Sequence, residues 1–306
     1  MAMVTMIDLL NLQQGVGFEL INETLVNFPE LATIPTQGLN GNSMRLTVRT
    51  ERGTANFRNY NEGTAYTKGE WETRVFEAMP ITKRVGVDQE EADQFTPEGK
   101  ARLFAEEVSE SLESAASLIG TQTWYGNTAQ AVADAKGFPG VIDQMNTGTD
   151  YNTTAGGTTA LSSVYFTQIA PNKLYLLLAN GKPIGMEPSW RLDTILDSSS
   201  NPYDAYVNKI SGGIGLRVAN RKCIGRIHNI DASANPLTWA LLRTAMNKYL
   251  AQNGGMRPTH IWLAPRSVEQ LWNALVTTET VNPDRPTSFM GVPFVETGSI
   301  SIAETV

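Results

Sequence analysis

Cysteine and histidine are almost missing from this sequence of 306 residues. Cys223 is the single cysteine, so the chain cannot form an internal disulfide. The two histidines, His228 and His260, are too few for a metal site built from several histidines. This residue usage is typical of a reducing, non-secreted compartment.

Long apolar runs are missing as well. The longest, such as residues 174–179, contain about six residues, whereas a membrane-spanning helix needs roughly 20. The first basic residue is Arg45, so the chain does not start with the positively charged segment of a signal peptide. We therefore expect neither a membrane span nor secretion.

Basic residues are scarcer than acidic ones. The chain has 24 Lys and Arg against 31 Asp and Glu, which gives a net charge of −7. A protein that wraps nucleic acid needs a basic face, and this balance argues against such a role. Hydrophobic residues make up 41% of the chain and charged residues 18%, the balance of a globular protein.

Catalytic motifs are absent too. The sequence contains no G-x-S-x-G, no H-E-x-x-H and no G-x-x-x-x-G-K-[ST]. Gly212–Gly215 lacks the third spaced glycine of a phosphate-binding loop, so it predicts a strand bend. Cys223 and His228 are five residues apart on a predicted strand, which points them to opposite faces and argues against a nucleophile and its base. The acidic residues between 88 and 93 lack the spacing of a calcium loop. We predict no catalytic residue, no cofactor and no metal.

The first 40 residues are predicted to form an N-terminal arm. Apolar residues between 6 and 16 and between 18 and 28 suggest two short amphipathic helices, and Pro29 and Pro35 interrupt the chain after them. The segment has too few apolar residues for a core of its own. We expect it to lie against another body, such as a second subunit.

Residues 41–95 are predicted to contain a long two-stranded hairpin. Three apolar residues alternate with polar ones from Ser43 to Arg49, the period of a half-buried strand. The return strand is expected from about Glu70 to Val87, after a polar, glycine-rich connection over residues 53–69. An isolated hairpin is not stable in water, so this one projects from the protein or packs on a partner.

The strongest helix signal follows the hairpin. Thr96 can cap the helix, Pro97 suits its first turn, and apolar residues recur every three or four positions along one face. The helix is predicted over residues 97–123. We expect Trp124 and Tyr125, at its end, to be buried core anchors rather than aromatics that stack on bases.

Strands and helices are mixed in the rest of the chain, and no internal repeat is present. The predicted strands cover residues 164–185, 213–230, 259–263 and 291–295. Asn180–Gly181 predicts a two-residue hairpin turn, and residues 193–208 are expected to be loop. Helices are predicted from 235 to about 252 and from a capping box at 267–270. Strands and helices are segregated rather than alternating, so the fold class is α+β.

Charge is unevenly divided between the hairpin and the helix. Residues 45–84 carry eight basic and five acidic residues, a net charge of +3, whereas residues 88–113 carry two basic and nine acidic residues, a net charge of −7. One interpretation is two separately solvated surfaces. The other is that the basic hairpin of one subunit lies over the acidic helix of the next subunit. The candidate contacts are Arg49, Arg52, Arg58 and Lys68 on the hairpin and Glu106, Glu107, Glu110 and Glu113 on the helix.

The order of arm, basic hairpin, long helix and mixed domain resembles the major capsid protein of tailed bacteriophages, with the Hong Kong 97-type fold. Four local stretches also resemble one branch of phage head proteins: Trp124–Asn127, Gly137–Val141, Gly215–Val218 and Arg226–Asp231. The resemblance implies an N-terminal arm (1–40), an E-loop hairpin (41–95), a peripheral domain (96–231) with the spine helix over 97–123, and an axial domain (232–306).

The resemblance also implies a function and partners. Hexamers and pentamers would close into an icosahedral shell around double-stranded DNA, without enzymatic activity and without sequence-specific DNA binding. A portal is expected, a decoration protein is compatible with the family, and the location would be the virion after assembly in the host cytoplasm. Because no scaffolding segment precedes the arm, a separate scaffolding protein is expected. Some members crosslink through an E-loop lysine, but Lys68 has no matching asparagine and acid partners, so we expect no crosslinking.

Two alternatives stay open at this point. The first is the shell of an encapsulin-like nanocompartment, which resembles the same fold but encloses enzymes instead of a genome. The second is a cytoplasmic α+β enzyme with an unrecognised site, which would be a monomer or small oligomer with turnover on some substrate. A host-binding or carbohydrate-binding appendage is disfavoured because Trp and Tyr are scattered rather than clustered on one predicted loop.

Overall fold

The computed structural model describes residues 28–127, 134–170, 172–276 and 283–304, without the side chain of Glu98. The helices are α1 (Glu30–Thr33), α2 (Gln89–Asp93), α3 (Pro97–Tyr125), α4 (Val141–Gln144), α5 (Trp239–Gln252) and α6 (Pro265–Val276). The strands are β1 (Thr36–Gly38), β2 (Ser43–Arg49), β3 (Trp71–Glu77), β4 (Met79–Asp88), β5 (Asn152–Thr154), β6 (Ser162–Thr167), β7 (Leu174–Leu178), β8 (Gly185–Met186), β9 (Arg191–Leu196), β10 (Pro202–Val218), β11 (Ile224–Ile230), β12 (His260–Leu263), β13 (Ser288–Phe289) and β14 (Val292–Glu296). The two helices predicted for the arm fall outside the described residues, apart from Phe28.

The predicted hairpin is present, but its return strand is divided. Strands β2 and β3 pair antiparallel from Ser43↔Glu77 to Arg49↔Trp71. After Ala78 the chain continues as β4, which leaves the hairpin and joins a larger sheet. The base of the hairpin packs on that sheet because Phe76 and Ala78 are buried together with Leu177. The hairpin therefore projects from a fixed base.

Strand β10 organises the first sheet. It is 17 residues long, and β4 pairs with its residues 205–214 along one edge. Strands β9, β8 and β7 lie one after another along the opposite edge, and β1 pairs in parallel with β7. The glycines at 212–215 lie inside β10 rather than at a phosphate loop. A Cβ at Gly213 would collide with Ala179 and one at Gly215 with the Glu77 carbonyl, so these positions require glycine for close packing.

Two sequence predictions are wrong in this sheet. Asn180 and Gly181 do have the positive φ values of a tight turn, 53° and 65°. However, β7 and β8 on either side of them both pair with β10 and not with each other. Residues 193–208, expected to be loop, are most of β9 and the start of β10, which pair as a hairpin. Strand β9 is largely exposed, so it lacks the apolar alternation by which strands are recognised.

The second sheet has the order β13-β14-β12-β6-β11-β5. Helices α5 and α6 cover it, with Leu242, Tyr249 and Leu271 in one buried cluster with Phe166 and Ile261. The strand pair predicted over residues 213–230 is wrong, because β10 and β11 belong to different sheets.

The starts of both helices differ from the sequence predictions. Helix α5 starts at Trp239, with the Thr238 side chain accepting from the Leu241 amide. Helix α6 starts at Pro265, so residues 267–270 lie within it and are not its capping box. Strands from both sides of residue 231 share the second sheet. The domain division predicted at that residue stays a prediction.

The long helix α3 joins the two sheets through its C-terminal end. Thr96 caps it by accepting from the Gly99 amide, and Gly126 ends it at φ 65°. Trp124 and Tyr125 are fully buried. The Trp124 ring stacks on Tyr165 of β6 with centroids 4.8 Å apart and lies 5.2 Å from Trp262 of β12. The helix predicted over 97–123 is thus two residues longer, and its two terminal aromatics fix it in the core.

Candidate assembly surfaces

The four basic candidates on the hairpin are exposed in the described structure. The Arg49 guanidinium lies 4.5 Å from the centre of the Trp71 ring, and Arg58 Nη1 donates to the Glu62 carbonyl at 2.9 Å. Arg52 and Lys68 are exposed, as is the rest of the connection between the two strands apart from half-buried Gly69. These charges are held on a projecting segment that its own subunit does not cover.

The hairpin tip also presents aromatic residues that the sequence reasoning missed. The side chains of Phe57, Tyr60 and Tyr66 are each fully exposed. Large aromatic residues rarely stand alone in water, and interface hot spots are enriched in Trp, Tyr and Arg. The interleaving of these aromatics with Arg52, Arg58 and Lys68 was the signal in the sequence that could have identified them.

The four acidic candidates on α3 differ in their surroundings. Glu106 accepts from Arg102 Nε at 3.0 Å on the same helix, and Glu110 Oε1 lies 3.6 Å from Lys83 Nζ on β4. Glu113 is exposed, and Glu107 faces a cleft. Two of the four carboxylates are therefore already paired with bases of their own chain.

An acidic cleft of about 510 Å³ opens beside Glu107. It lies between the end of β4, helix α2, the first half of α3 and the turn from β9 to β10. Its lining includes the carboxylates Asp88, Glu91, Glu107 and Asp197 and the apolar side chains Val87, Leu103 and Tyr203, with no basic residue among the described lining. Backbone amides of the turn, Asn201 first, hold the pKa of Asp197 below its usual value, which keeps it ionised.

Exposed apolar side chains stand at the rim of this acidic cleft. Leu196 of β9 is more than half exposed and is paired with Pro202 in the cleft lining, and Leu192, also more than half exposed, lies further along the same strand. The outer edge of β9 has no strand partner among the described residues. The acidic cleft and this rim together form a surface with negative charge and apolar contacts.

Two buried polar clusters hold the ends of the described chain. Near the C-terminus, Glu304 accepts from Tyr125 Oη at 2.7 Å and Ser163 Oγ at 2.7 Å and pairs with Arg226 Nη2 at 3.1 Å. At the start, Glu30 Oε1 accepts from Trp124 Nε1 at 2.7 Å and from Thr297 Oγ1. Neither carboxylate was singled out from the sequence, because both depend on contacts between distant segments.

Cys223 and His228 do not form a catalytic pair. Cys223 is fully buried, and burial raises the pKa of its thiol to about 12. Burial lowers the pKa of His228, whose ring is half-buried on β11. The described residues contain no cluster of three or more His, Cys, Asp or Glu side chains arranged to hold a metal ion. In the same part of the chain, every helix is too short or too polar to cross a membrane.

A long helix packed against two sheets, with a hairpin projecting from one of them, is the arrangement expected from the resemblance to tailed-phage major capsid proteins. A chain from a structure of bacteriophage Epsilon15 is 20% identical, has a TM-score of 0.66 and covers 90% of this chain and 88% of its own length. The capsid chain of bacteriophage JBD30 is 11% identical, with a TM-score of 0.54 and coverage of 89% and 91%. These similarities confirm the Hong Kong 97-type fold.

The family follows from the sequence match. A family model described as the major capsid protein GP7 matches residues 21–306. This chain belongs to that family, and no curated protein matches it. It is a structural capsid protein and not an enzyme, and it is a virion component that assembles with copies of itself into a capsid shell. The prediction of a phage major capsid protein is confirmed.

Proposed function

We propose that this capsid protein forms hexamers and pentamers that close an icosahedral head around double-stranded DNA. Neighbouring subunits are joined in part by the hairpin of one copy lying on the acidic surface of the next. The observation that carries the proposal is that one chain presents two surfaces of complementary character. The first is the projecting hairpin tip, with exposed aromatic and basic side chains, and the second is the acidic cleft, with apolar residues at its rim.

The hairpin tip fits the acidic cleft better than it fits the middle of the helix. Glu106 and Glu110 already have basic partners in their own chain, so a second base gains less from them. Glu107 has no basic neighbour in the cleft lining and lies beside apolar Leu103. Aromatic anchors in such a cleft remove apolar surface from water, while the surrounding charges select the partner and speed its approach.

The test is a charge reversal of the hairpin. We expect the triple variant Arg49→Glu, Arg52→Glu and Arg58→Glu, expressed together with a candidate scaffolding protein, to keep its fold and to lose the shells and capsomer-sized rings that the wild type forms under the same conditions. Negative-stain electron microscopy and sedimentation velocity at low and high salt measure the assembled particles and the unassembled subunits. Wild-type assembly should weaken with salt, since screening reduces the attraction between exposed charges. Unchanged assembly of the triple variant would rule the contact out.

Matched variants separate a specific contact from a general effect of net charge. Reversal of Lys136, Lys182 and Arg243 changes the net charge by the same amount at exposed positions outside the hairpin. This control should assemble like the wild type. Lysine substitutions at Asp88, Glu91 and Glu107 should restore assembly when combined with the reversed hairpin, because the charges are then complementary again.

The proposal includes further partners. A separate scaffolding protein and a portal act during assembly in the host cytoplasm, and the outer surface is compatible with a decoration protein. The acidic chain encloses DNA without reading its sequence, since the net charge of −7 keeps packaged DNA from adhering to the wall. Expression of the chain alone should give irregular products, and uniform closed shells would contradict the need for a scaffold. Mature particles should yield ordinary monomers in denaturing gels, because no crosslink through Lys68 is proposed.

The contents of purified shells distinguish this proposal from a nanocompartment. A phage head contains double-stranded DNA after infection, whereas a nanocompartment contains a cargo enzyme. Nuclease-protected DNA of genome length inside the particles supports the phage head. A cargo enzyme present in a fixed ratio to the shell protein, without nucleic acid, supports the nanocompartment.

A further inference from the structure

A buried carboxyl group fastens the start of the described chain to the core. Glu30 of α1 is fully buried between the C-terminal end of α3 and the segment that follows β14. Its Oε1 accepts hydrogen bonds from Trp124 Nε1 at 2.7 Å and from Thr297 Oγ1. These bonds connect positions 94 and 267 residues apart, so one side chain joins three segments of the fold.

The same carboxyl group is incompletely satisfied. Glu30 Oε2 and the neighbouring Ser299 Oγ are both buried, and neither makes a hydrogen bond of ordinary geometry among the described residues, although Ser299 lies close enough to lower the pKa of the carboxyl group slightly. A side chain on Gly120 of α3 would collide with Ser299, which shows how closely the helix and this segment approach at the site. An ionised carboxylate left with one bare oxygen in such a place is costly, whereas a neutral acid is tolerated.

Among the described residues, no positively charged group acts on the Glu30 carboxyl. From α3 the facing groups are the Trp124 indole and Gly120, and from the C-terminal segment they are the Thr297 and Ser299 side chains. On α3 and on the C-terminal segment, the titratable side chains closest in sequence to these contact residues are Tyr125 and Glu296, and both bind other partners. Tyr125 donates to Glu304, and Glu296 pairs with Arg285 at 2.7 Å. Burial has the largest effect on the pKa of Glu30 and raises it above its ordinary value of 4.5, whereas hydrogen bonds from Thr297, Trp124, the backbone of Glu30 and Ser299 lower it.

We propose that Glu30 is a proton-controlled joint between the N-terminal segment and the long helix. As a neutral acid it fastens residues Phe28–Ile34 to α3. When the proton passes to water, the carboxylate is drawn into solvent and the segment is released.

The sign of the pH dependence follows from proton binding. In the closed segment Glu30 keeps its proton above pH 4.5, and in the opened segment it loses that proton to water. Opening therefore releases one proton in the interval between 4.5 and the raised pKa. Within this interval the equilibrium constant for opening rises up to about tenfold per pH unit, and outside it the dependence vanishes. The attachment is strongest in acid and weakens as pH rises.

Hydrogen exchange of the unassembled full-length chain tests this joint. The amides of residues 28–34 are followed by mass spectrometry from pH 5 to 9 in the wild type and in the Glu30→Gln variant, which keeps the shape and cannot ionise. The ratio of the two exchange rates at each pH removes the effect of pH on intrinsic exchange, which both proteins share. The exchange rate of the wild type should rise relative to that of the variant by up to about tenfold per pH unit. Glu113→Gln, at an exposed position of α3, should behave like the wild type.

A second variant keeps the test decisive when Glu30→Gln does not fold. Thr297→Val removes a donor that favours the ionised carboxylate, so the upper limit of the pH range in which residues 28–34 lose protection should move upward. Equal pH dependence of the wild type and Glu30→Gln would overturn the proposal. So would an upper limit of that range that stays in place or moves downward in Thr297→Val.

Discussion

Arg226 of β11 and Glu304, two residues before the chain end, form an ion pair of 3.1 Å whose side chains are 16% and 2% exposed. The arginine also donates to Ser163 Oγ, which in turn donates to the same carboxylate. Tyr125 at the end of α3 donates to the other carboxylate oxygen. Glu304 therefore ties the end of the described chain to the core, although Ile302 and Ala303 before it are exposed.

This ion pair predicts a large loss of stability for Glu304→Ala. Removal of one partner leaves a buried guanidinium without its countercharge, which costs about 3–5 kcal/mol. The free energy of unfolding, measured by urea denaturation of the unassembled subunit, should fall by that amount. The matched change is Glu296→Ala, which breaks the more exposed pair with Arg285 and should cost about 0–1 kcal/mol. Equal losses in the two variants would contradict a buried role for Glu304.

A glycine at the end of the long helix is expected to be irreplaceable. Gly126 has φ 65°, and a Cβ there would collide with the carboxylate of Asp143. That carboxylate accepts from the backbone amides of Asn127 and Gly140, so it cannot move without losing both. We expect Gly126→Ala to destabilise the subunit by about 3 kcal/mol or more, from strain and steric conflict together.

Gly254 provides the control for this prediction. Its φ of 62° is nearly the same, but no atom lies within 4 Å of a Cβ at that position. Gly254→Ala should therefore show only the cost of the left-handed backbone, about 1–2 kcal/mol. Urea denaturation of both variants measures the difference, and a similar cost for the two would mean that the Asp143 contact contributes nothing.

The single thiol is expected to be unreactive in the folded subunit. Cys223 is fully buried, and burial raises its thiol pKa to about 12, so very little reactive thiolate exists at pH 8. Iodoacetamide should modify the native chain at least about a hundredfold more slowly than the chain in denaturant, as measured by intact-mass spectrometry. Cys223→Ala should show no modification in either state. Rapid native labelling would mean that the loop before β11 opens readily.

The aromatic tip of the hairpin is expected to affect assembly without affecting the subunit. Serine substitutions at Phe57, Tyr60 and Tyr66 remove side chains that touch only solvent in their own chain. The melting temperature of the subunit should therefore stay the same, while shell yield in electron micrographs should fall at least tenfold. The control is Met44→Ser, at a half-buried position in the hairpin base. This change should lower the melting temperature of the subunit, which the substitutions at the tip leave unchanged. A normal shell yield from the serine variant would remove the aromatic residues from the proposed contact.

Local sequence signals predict the long helix and hairpin strand β2 well. Helix α3 is recognisable because its cap, its proline and its apolar spacing all agree, and the structure extends it only to Tyr125. Strand β2 alternates half-buried and exposed residues over its whole length, which is the signal that the sequence presents. Both elements carry their information within a few neighbouring residues.

Strand partners could not be predicted in the same way. Asn180 and Gly181 encode a turn, but the partner of each flanking strand is β10, more than 20 residues further along the chain. Strand β9 faces solvent, so no apolar period separates it from a loop. The polar clusters around Glu30 and Glu304 depend on contacts between residues far apart in the chain, so no local sequence pattern predicts them.

The way the hairpin is anchored has a mechanical consequence. Strand β3 continues after Ala78 into β4, and β4 is bonded to β10 over ten antiparallel residue pairs. A neighbour that pulls on the tip along the strand direction therefore loads these pairs in shear. In this geometry the hydrogen bonds between β4 and β10 bear the force at the same time and have to break together. In a hairpin that is pulled apart from its open end, the hydrogen bonds break one pair at a time. The subunit is therefore built to resist tension along its projecting hairpin.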